Sequence, residues 1–246
     1  AHATRAHHIA QSYAAERKQG RDRNTGQPIS IDQHHDVARM LARQDMLAMT
    51  GRLMAYKTFA LMETGTNSDL IEFLTPICKS FCTDAGVEAA QIGIQVLGGY
   101  GYLREYRVEQ TLRDARICQI YEGTNGIHAL TLAGRLTRHK DGASAKAFEA
   151  LISDLIAGTR CDTELAKQLL AYWQQMTSEI IASDTPEQYA QDYMQISAAT
   201  YGVALWTELA DRLSADQTSR YEKCLAQVTE WGAVTLACST ASMAHR

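Results

Sequence analysis

Residues 95–139, QVLGGYGYLREYRVEQTLRDARICQIYEGTNGIHALTLAGRLTRH, hold two glycine turns and the start of a helix. Within Tyr121-Glu122-Gly123-Thr124-Asn125 a carboxylate is followed by glycine and a capping residue, and Ile127, Leu130, Leu132 and Leu136 then recur at helical spacing. The pattern predicts an acidic side chain at a helix entrance, where backbone N–H groups are unpaired and the dipole is positive. Glycine beside it lets a ligand approach the backbone. Upstream, Gly98-Gly99-Tyr100-Gly101 forms the other turn, and Arg104, Arg107, Arg113 and Arg116 supply positive charge between the two.

Outward from this stretch the pattern stays helical. Only three prolines occur, Pro28, Pro76 and Pro186, and no segment alternates with period two, so an all-α fold is expected. Residues 3–18 predict a helix ending near Arg17, Lys18 and Gly20, and Arg21 to Pro28 (RDRNTGQP) reads as a loop. Ser30 and Gln33 have capping-box spacing. Val37, Met40, Leu41, Leu47, Met54 and Ala55 carry the following helix to about Met62, with Gly65 beyond its end. Asn67 or Ser68 caps a long segment reaching Leu97, which Pro76 is expected to kink or restart.

Past Asp141-Gly142 the character changes. Phe148, Leu151, Ile152, Leu155 and Ile156 form one apolar stripe, and Leu165, Leu169, Trp173, Met176 and Ile180 form another. Thr185-Pro186-Glu187-Gln188 and Ser214-Ala215-Asp216-Gln217 both read as capping boxes. Residues 143–246 are therefore expected to form an additional helical bundle of four antiparallel helices. Trp173, Trp206 and Trp231 fall at helical spacing among apolar residues and read as core.

At 246 residues with 46% apolar content, the chain can bury one large core or two smaller ones. No apolar run approaches the roughly 20 residues that span a bilayer. The first residues, AHATRAHHIAQSYAAERK, are polar and basic, with no visible secretory leader. Because the chain starts at Ala1 rather than Met, a processed product or fragment is expected. Cys78 and Cys82 stand one helical turn apart, which suits a shared buried face and a reducing cytoplasm or organelle matrix. A net charge of −4 argues against a nucleic-acid partner. Its distribution is uneven: residues 143–246 hold 7 Lys and Arg against 13 Asp and Glu, leaving 17 against 15 before them. His34 and His35 invite a metal reading, but adjacent helical residues point about 100° apart, so no metal site is expected.

Gln95-Val96-Leu97-Gly98-Gly99-Tyr100-Gly101-Tyr102, Glu105-Tyr106, Val108-Glu109, Arg113-Asp114-Ala115-Arg116 and Ile120-Tyr121-Glu122-Gly123-Thr124-Asn125 together resemble the C-terminal signature of the acyl-CoA dehydrogenases. The resemblance covers residues 1–140 and implies that family's four-helix C-terminal domain. It implies FAD as cofactor and α,β-dehydrogenation of an acyl-CoA thioester. Glu122 is then the base that takes the α proton while the β hydrogen leaves as hydride to the flavin, with donors at the developing enolate oxygen. Tyr121 and Gly123, beside it, become substrate contacts. A helix entrance lowers a carboxylate's pKa and desolvation raises it; desolvation is expected to win once substrate is bound.

By the same resemblance, Arg17 in Glu16-Arg17-Lys18-Gln19-Gly20 reaches the flavin diphosphate of a neighbouring subunit, a task suited to a guanidinium. Gln95, Gly98 and Gly99 meet the adenine side of the flavin, and Thr124 is both a flavin contact and a helix cap. Gln19, the Arg21–Pro28 insertion and Gly126 depart from the family pattern. EGTNG and the acidic extension are similar to the longer branch of the family, which includes enzymes for sulfur-containing short acyl-CoAs. The family's N-terminal helical and β-sheet domains are not recognisable, so this chain alone is expected neither to hold FAD tightly nor to turn over. The resemblance further implies electron-transferring flavoprotein as acceptor and a homodimer or homotetramer. Competing readings are a DNA-binding flavoprotein relative, disfavoured by the acidic extension, a non-catalytic helical oligomerisation module, and an acyl-CoA oxidase.

Overall fold

The computed structural model describes residues 1–65, 67–213 and 215–244. Helix α1 spans His2–Glu16 and buries Ala3, Ala6, His7, Ala10 and Ala14, a stripe of mostly small side chains. It stops two residues before its expected end. Arg17 is extended, and strand β1 (Lys18–Arg21) pairs antiparallel with β2 (Pro28–Ser30). The expected loop thus becomes the tip of a small hairpin. Its Asp22 carboxylate accepts from the backbone N–H groups of Thr25 at 2.7 Å and Asn24 at 2.9 Å, bonds that hold it below the usual carboxylate range.

The capping box at Ser30 does not form. Ser30 ends β2, and its hydroxyl donates to Asp32 and accepts from Gln33 instead of capping backbone N–H groups. A 3₁₀ turn, Ile31–Gln33, intervenes before helix α2 starts at His35 and runs to Glu63. Helix α3, Ser68–Leu97, carries Pro76 inside it and is not restarted there. Asn67 caps it: the Asp69 N–H donates to the Asn67 side chain at 2.9 Å.

Two compact units result, and α2 and α3 contribute residues to each. The first comprises residues 1–49 and 82–121. It contains α1, the hairpin, two 3₁₀ turns (Gly98–Tyr102 and Arg104–Tyr106) and helix α4, Val108–Cys118. Its core gathers Ala10, Ala14, Ile31, Val96, Leu97 and Val108. Gly93 is what lets α4 begin against α3, because a Cβ there would stand 2.8 Å from Val108 Cγ2. The buried Gln44 amide donates to the Ala89 carbonyl at 2.7 Å, and Arg43 reaches Glu88 with two nitrogens.

The second unit comprises residues 50–81 and those from 122 onward. A short helix α5, Asn125–Leu130, passes into a π-helical turn, Thr131–Leu136, and then into α6, Thr137–Ala157. Left-handed Lys140, Asp141 and Gly142 break α6 where the sequence changes character. Helices α7 (Glu164–Ala182), α8 (Ala190–Arg212) and α9 (Ala215–Ala244) complete it.

Its core is aromatic. Phe148 lies 5.0 Å from Trp173 and 5.1 Å from Phe73 between ring centroids, and Trp173 stacks on Tyr193 at 5.8 Å. Each such pair adds about 0.5–1.5 kcal/mol to the burial itself. The polar tips are satisfied: Trp206 donates to Thr50 at 2.7 Å, Trp173 to Ser197 at 2.9 Å, and Tyr193 meets Thr177 at 2.8 Å. Burial pushes the Tyr193 and Tyr201 phenols well above their ordinary range.

The two apolar stripes are buried as read, except that Leu151 and Leu165 are half-buried. Trp173 and Trp206 are core, whereas Trp231 is half-buried, 5.3 Å from Phe81 between centroids. Pro186 opens a 3₁₀ turn, Pro186–Tyr189, without a side-chain cap from Thr185, so the α-helix starts four residues later than the capping box placed it. Ser214 of the last capping box lies outside the described residues. Among the described residues no helix is long and apolar enough to cross a membrane, and no cluster of three His, Cys, Asp or Glu could hold a metal ion.

Candidate functional site

The first unit contains a groove of about 540 Å³ where the end of α1, the hairpin and the end of α3 meet. Arg17, Gln95, Gly98 and Gly99, four of the expected cofactor contacts, line it together with Tyr13, Gln19, His34 and Tyr100. Arg17 arrives because α1 stops one residue earlier and the chain turns extended. Its guanidinium lies 5.9 Å from the Tyr100 ring centroid. The Tyr13, Tyr100 and Tyr106 ring centroids stand 5.6–6.1 Å from one another. Burial raises the Tyr13 phenol above its ordinary value, with Arg17 opposing.

His34 Nε2 donates to the Gln19 carbonyl at 2.8 Å and so ties the hairpin to the start of α2. Gln19, a departure in sequence, is therefore used through its backbone. Gly98 is left-handed at φ +58°, and among the described residues no atom beyond the adjoining residues lies within 4 Å of a Cβ built on Gly98 or Gly99. Open backbone, aromatic faces and, among the described residues, a guanidinium without a carboxylate at ion-pair distance form a cradle for a flat, anionic ligand.

The turn around Glu122 belongs to the second unit. Glu122 and Gly123 are both left-handed, at φ +54° and +88°. For glutamate that conformation costs about 1–2 kcal/mol, so neighbouring bonds must impose it. Those bonds are present. His128 Nε2 donates to the Glu122 carbonyl at 3.1 Å, and Lys79 Nζ donates to the Gly123 carbonyl at 2.8 Å and to Asn125 Oδ1 at 2.7 Å. Thr124 caps α5 by accepting from the Ile127 N–H at 3.2 Å, as its sequence position implied. The Glu122 side chain is exposed, two residues before that cap.

Expected site residues thus fall into two groups. Arg17, Gln95, Gly98 and Gly99 share the groove; Glu122, Gly123 and Thr124 share the turn. Tyr121 closes the first unit, exposed, with its hydroxyl 3.5 Å from Cys118 Sγ. Tyr13 and Lys79 were not foreseen. The signal available for Lys79 was a lone cation in the otherwise apolar run PICKSFC.

A sequence model described as "Acyl-CoA dehydrogenase, C-terminal domain" matches residues 1–137. The 3-methylmercaptopropionyl-CoA dehydrogenase of Ruegeria pomeroyi is 41% identical over 162 residues, covering 61% of this chain and 28% of that protein. A butyryl-CoA dehydrogenase of Syntrophomonas wolfei is 31% identical over 153 residues, 58% of this chain and 25% of that protein. This chain therefore spans about a quarter of the length of these curated relatives. In three dimensions, Caenorhabditis elegans ACDH-11 in complex with C11-CoA superposes with TM-score 0.77 at 22% identity, over 94% of this chain and 42% of that one. An acyl-CoA dehydrogenase from Bacillus anthracis, complexed with FAD, superposes with TM-score 0.76 at 18% identity, over 99% and 46%. At these identities the superpositions show a shared fold, and that fold extends beyond the matched first 137 residues.

Proposed function

The chain belongs to the acyl-CoA dehydrogenase family, and from that premise we propose that it is the C-terminal part of an FAD-dependent enzyme performing α,β-dehydrogenation of an acyl-CoA thioester. Residues 1–140 form the family's C-terminal helical domain and residues 143–246 an added helical bundle. The observation that carries the proposal is the groove, which gathers Arg17, Gln95, Gly98 and Gly99 from distant segments around open glycine backbone.

FAD fits that groove by its chemistry. The Arg17 guanidinium suits diphosphate oxygens, the bare backbone at Gly98 and Gly99 admits a close ligand, and Gln95 offers an amide to the adenine side. Thr124, besides capping α5, is the flavin contact on the turn. When bound, FAD supplies the acceptor for the hydride that leaves the β carbon. Glu122 takes the α proton, with Tyr121 and Gly123 beside the thioester. The Glu122 carboxylate is exposed in this chain, and bound substrate would shield it from water.

The family's N-terminal helical and β-sheet domains would complete the flavin site, with homodimer or homotetramer assembly supplying the second half from a neighbour. Electron-transferring flavoprotein would take the electrons, in the cytoplasm. The 41% identical relative supports a short acyl-CoA, sulfur-containing ones included, as substrate. The test is Glu122→Gln in the protein carrying those N-terminal domains. Flavin retention with loss of at least about a thousandfold in kcat is expected for removal of the base; turnover within tenfold of the parent would refute the reading. The 246-residue chain alone should neither retain FAD nor form enoyl-CoA.

A further inference from the structure

We propose that Lys79 is the positioning residue that sets the Glu122 carboxylate, an inference that rests on reading Glu122 as the base. Lys79 lies half-buried on α3 between buried Ile77 and Ser80. Its ammonium grips the turn at two points, the Gly123 carbonyl at 2.8 Å and Asn125 Oδ1 at 2.7 Å, one on each side of the Thr124 cap. Asn125 returns to the same stretch of α3 through its amide, 3.5 Å from the Ser80 carbonyl. These are charge-assisted bonds at short distance, roughly twice as strong as neutral ones.

The turn needs such a grip. Glu122 sits in a backbone conformation that a non-glycine residue does not hold unaided, and its side chain is exposed. His128 fixes the Glu122 carbonyl from α5, the helix that the turn itself opens, whereas Lys79 approaches from α3. Lys79 supplies a charged tie from the turn to the long helix, beside the longer Asn125–Ser80 contact. Without its ammonium the Gly123 carbonyl and the Asn125 side chain lose their common donor, the left-handed pair relaxes, and the carboxylate swings away from the α carbon. A displacement near 1 Å is enough to slow a positioned proton transfer about 100-fold.

The experiment uses the flavin-loaded full-length protein with Lys79→Met, Lys79→Arg, Asn125→Ala and Glu122→Gln. For Lys79→Met, kcat should fall about 10–100-fold with KM within about twofold. The primary isotope effect with α-deuterated acyl-CoA should rise, because proton abstraction becomes slower than the other steps. Amide hydrogen exchange at residues 123–127 should quicken, and Lys79→Arg, which keeps charge and donors, should recover most of kcat. Unchanged kcat, isotope effect and exchange in Lys79→Met would overturn the proposal. So would a loss that follows the thermal midpoint and is not relieved by arginine. Should Lys79→Met fail to fold, Asn125→Ala removes one of the two grips and carries the same readouts. A dead Glu122→Gln beside an unaffected Lys79→Met overturns the clamp alone; an active Glu122→Gln removes the base assignment and the clamp with it.

Discussion

Gly98 and Gly99 adjoin in sequence and line one groove, yet alanine at each should do different things. At Gly98, φ is +58°, where an L side chain is strained by about 1–2 kcal/mol. Alanine also stiffens the unfolded chain, which returns about 0.4–1 kcal/mol, so the net loss is about 1 kcal/mol. For a chain of this length that lowers the thermal midpoint by about 2–4 °C. Gly99 is not left-handed, and among the described residues nothing beyond its chain neighbours lies within 4 Å of its Cβ position, so Gly99→Ala should change stability by less than about 0.5 kcal/mol. Gly99 nevertheless lines the groove, where on the proposed reading an added methyl would hold a flavin off the backbone. Losing one bond to a charged group, about 1.5–3 kcal/mol, corresponds to roughly 10–150-fold in affinity. Melting of the 246-residue chain measures the first effect, and flavin fluorescence titration of the apo full-length protein measures the second. Gly99→Ala with parental FAD affinity would refute the assignment of this groove to the cofactor. Gly98→Ala with an unshifted melt would refute the strain argument.

Three further outcomes are expected. In α8, a Cβ on Gly202 would meet Trp231 at 2.9 Å, Met54 at 3.0 Å and Thr50 at 3.1 Å, so Gly202→Ala should cost about 1–3 kcal/mol, read as a lower urea midpoint with unchanged slope. Thr124→Ala should cost about 1 kcal/mol through loss of the α5 cap, and Thr124→Ser should restore most of it; equal melts for all three would deny the cap. His7, buried on α1, has its pKa lowered by desolvation, against the pull of Asp45 at 4.0 Å. Its unfolded form binds a proton at 6.5 while its folded form resists one, so this contribution to stability is whole above about pH 6.5 and is lost as pH falls below it. His7→Gln should flatten the melting temperature between pH 7 and 5; an unchanged slope would refute the assignment.

Much of the helical order was legible in the residues. The stripes through Phe148 and Trp173 are buried, the second long helix ends just before Gly65, and Asn67 and Thr124 cap as expected. These are local features, set by side chains three or four positions apart and by one cap bond each. The capping boxes at Ser30 and Thr185 misled because each has a competing local partner: Ser30 is held by a strand and by Asp32, and Pro186 opens a 3₁₀ turn first. The hairpin at residues 18–30 went unread, since two strands of four and three residues are too short to show alternation.

The candidate site residues from Gln95 to Thr124 were proposed from a dense collinear motif between Gln95 and Asn125, and Arg17 from a separate run upstream. What that motif could not express is which distant residues meet. Arg17 and Tyr13 share a groove with Gln95 through Tyr100 only because α1 packs along the end of α3, and Lys79 reaches Gly123 across 44 positions. Nor does any composition require Glu122 to be left-handed; it adopts that conformation in a turn bonded by Lys79 and His128. Helix and cap energies are additive along a few neighbouring residues, so a string of letters determines them. A strained backbone and a gathered groove depend on contacts between segments, and those exist only after the chain has folded.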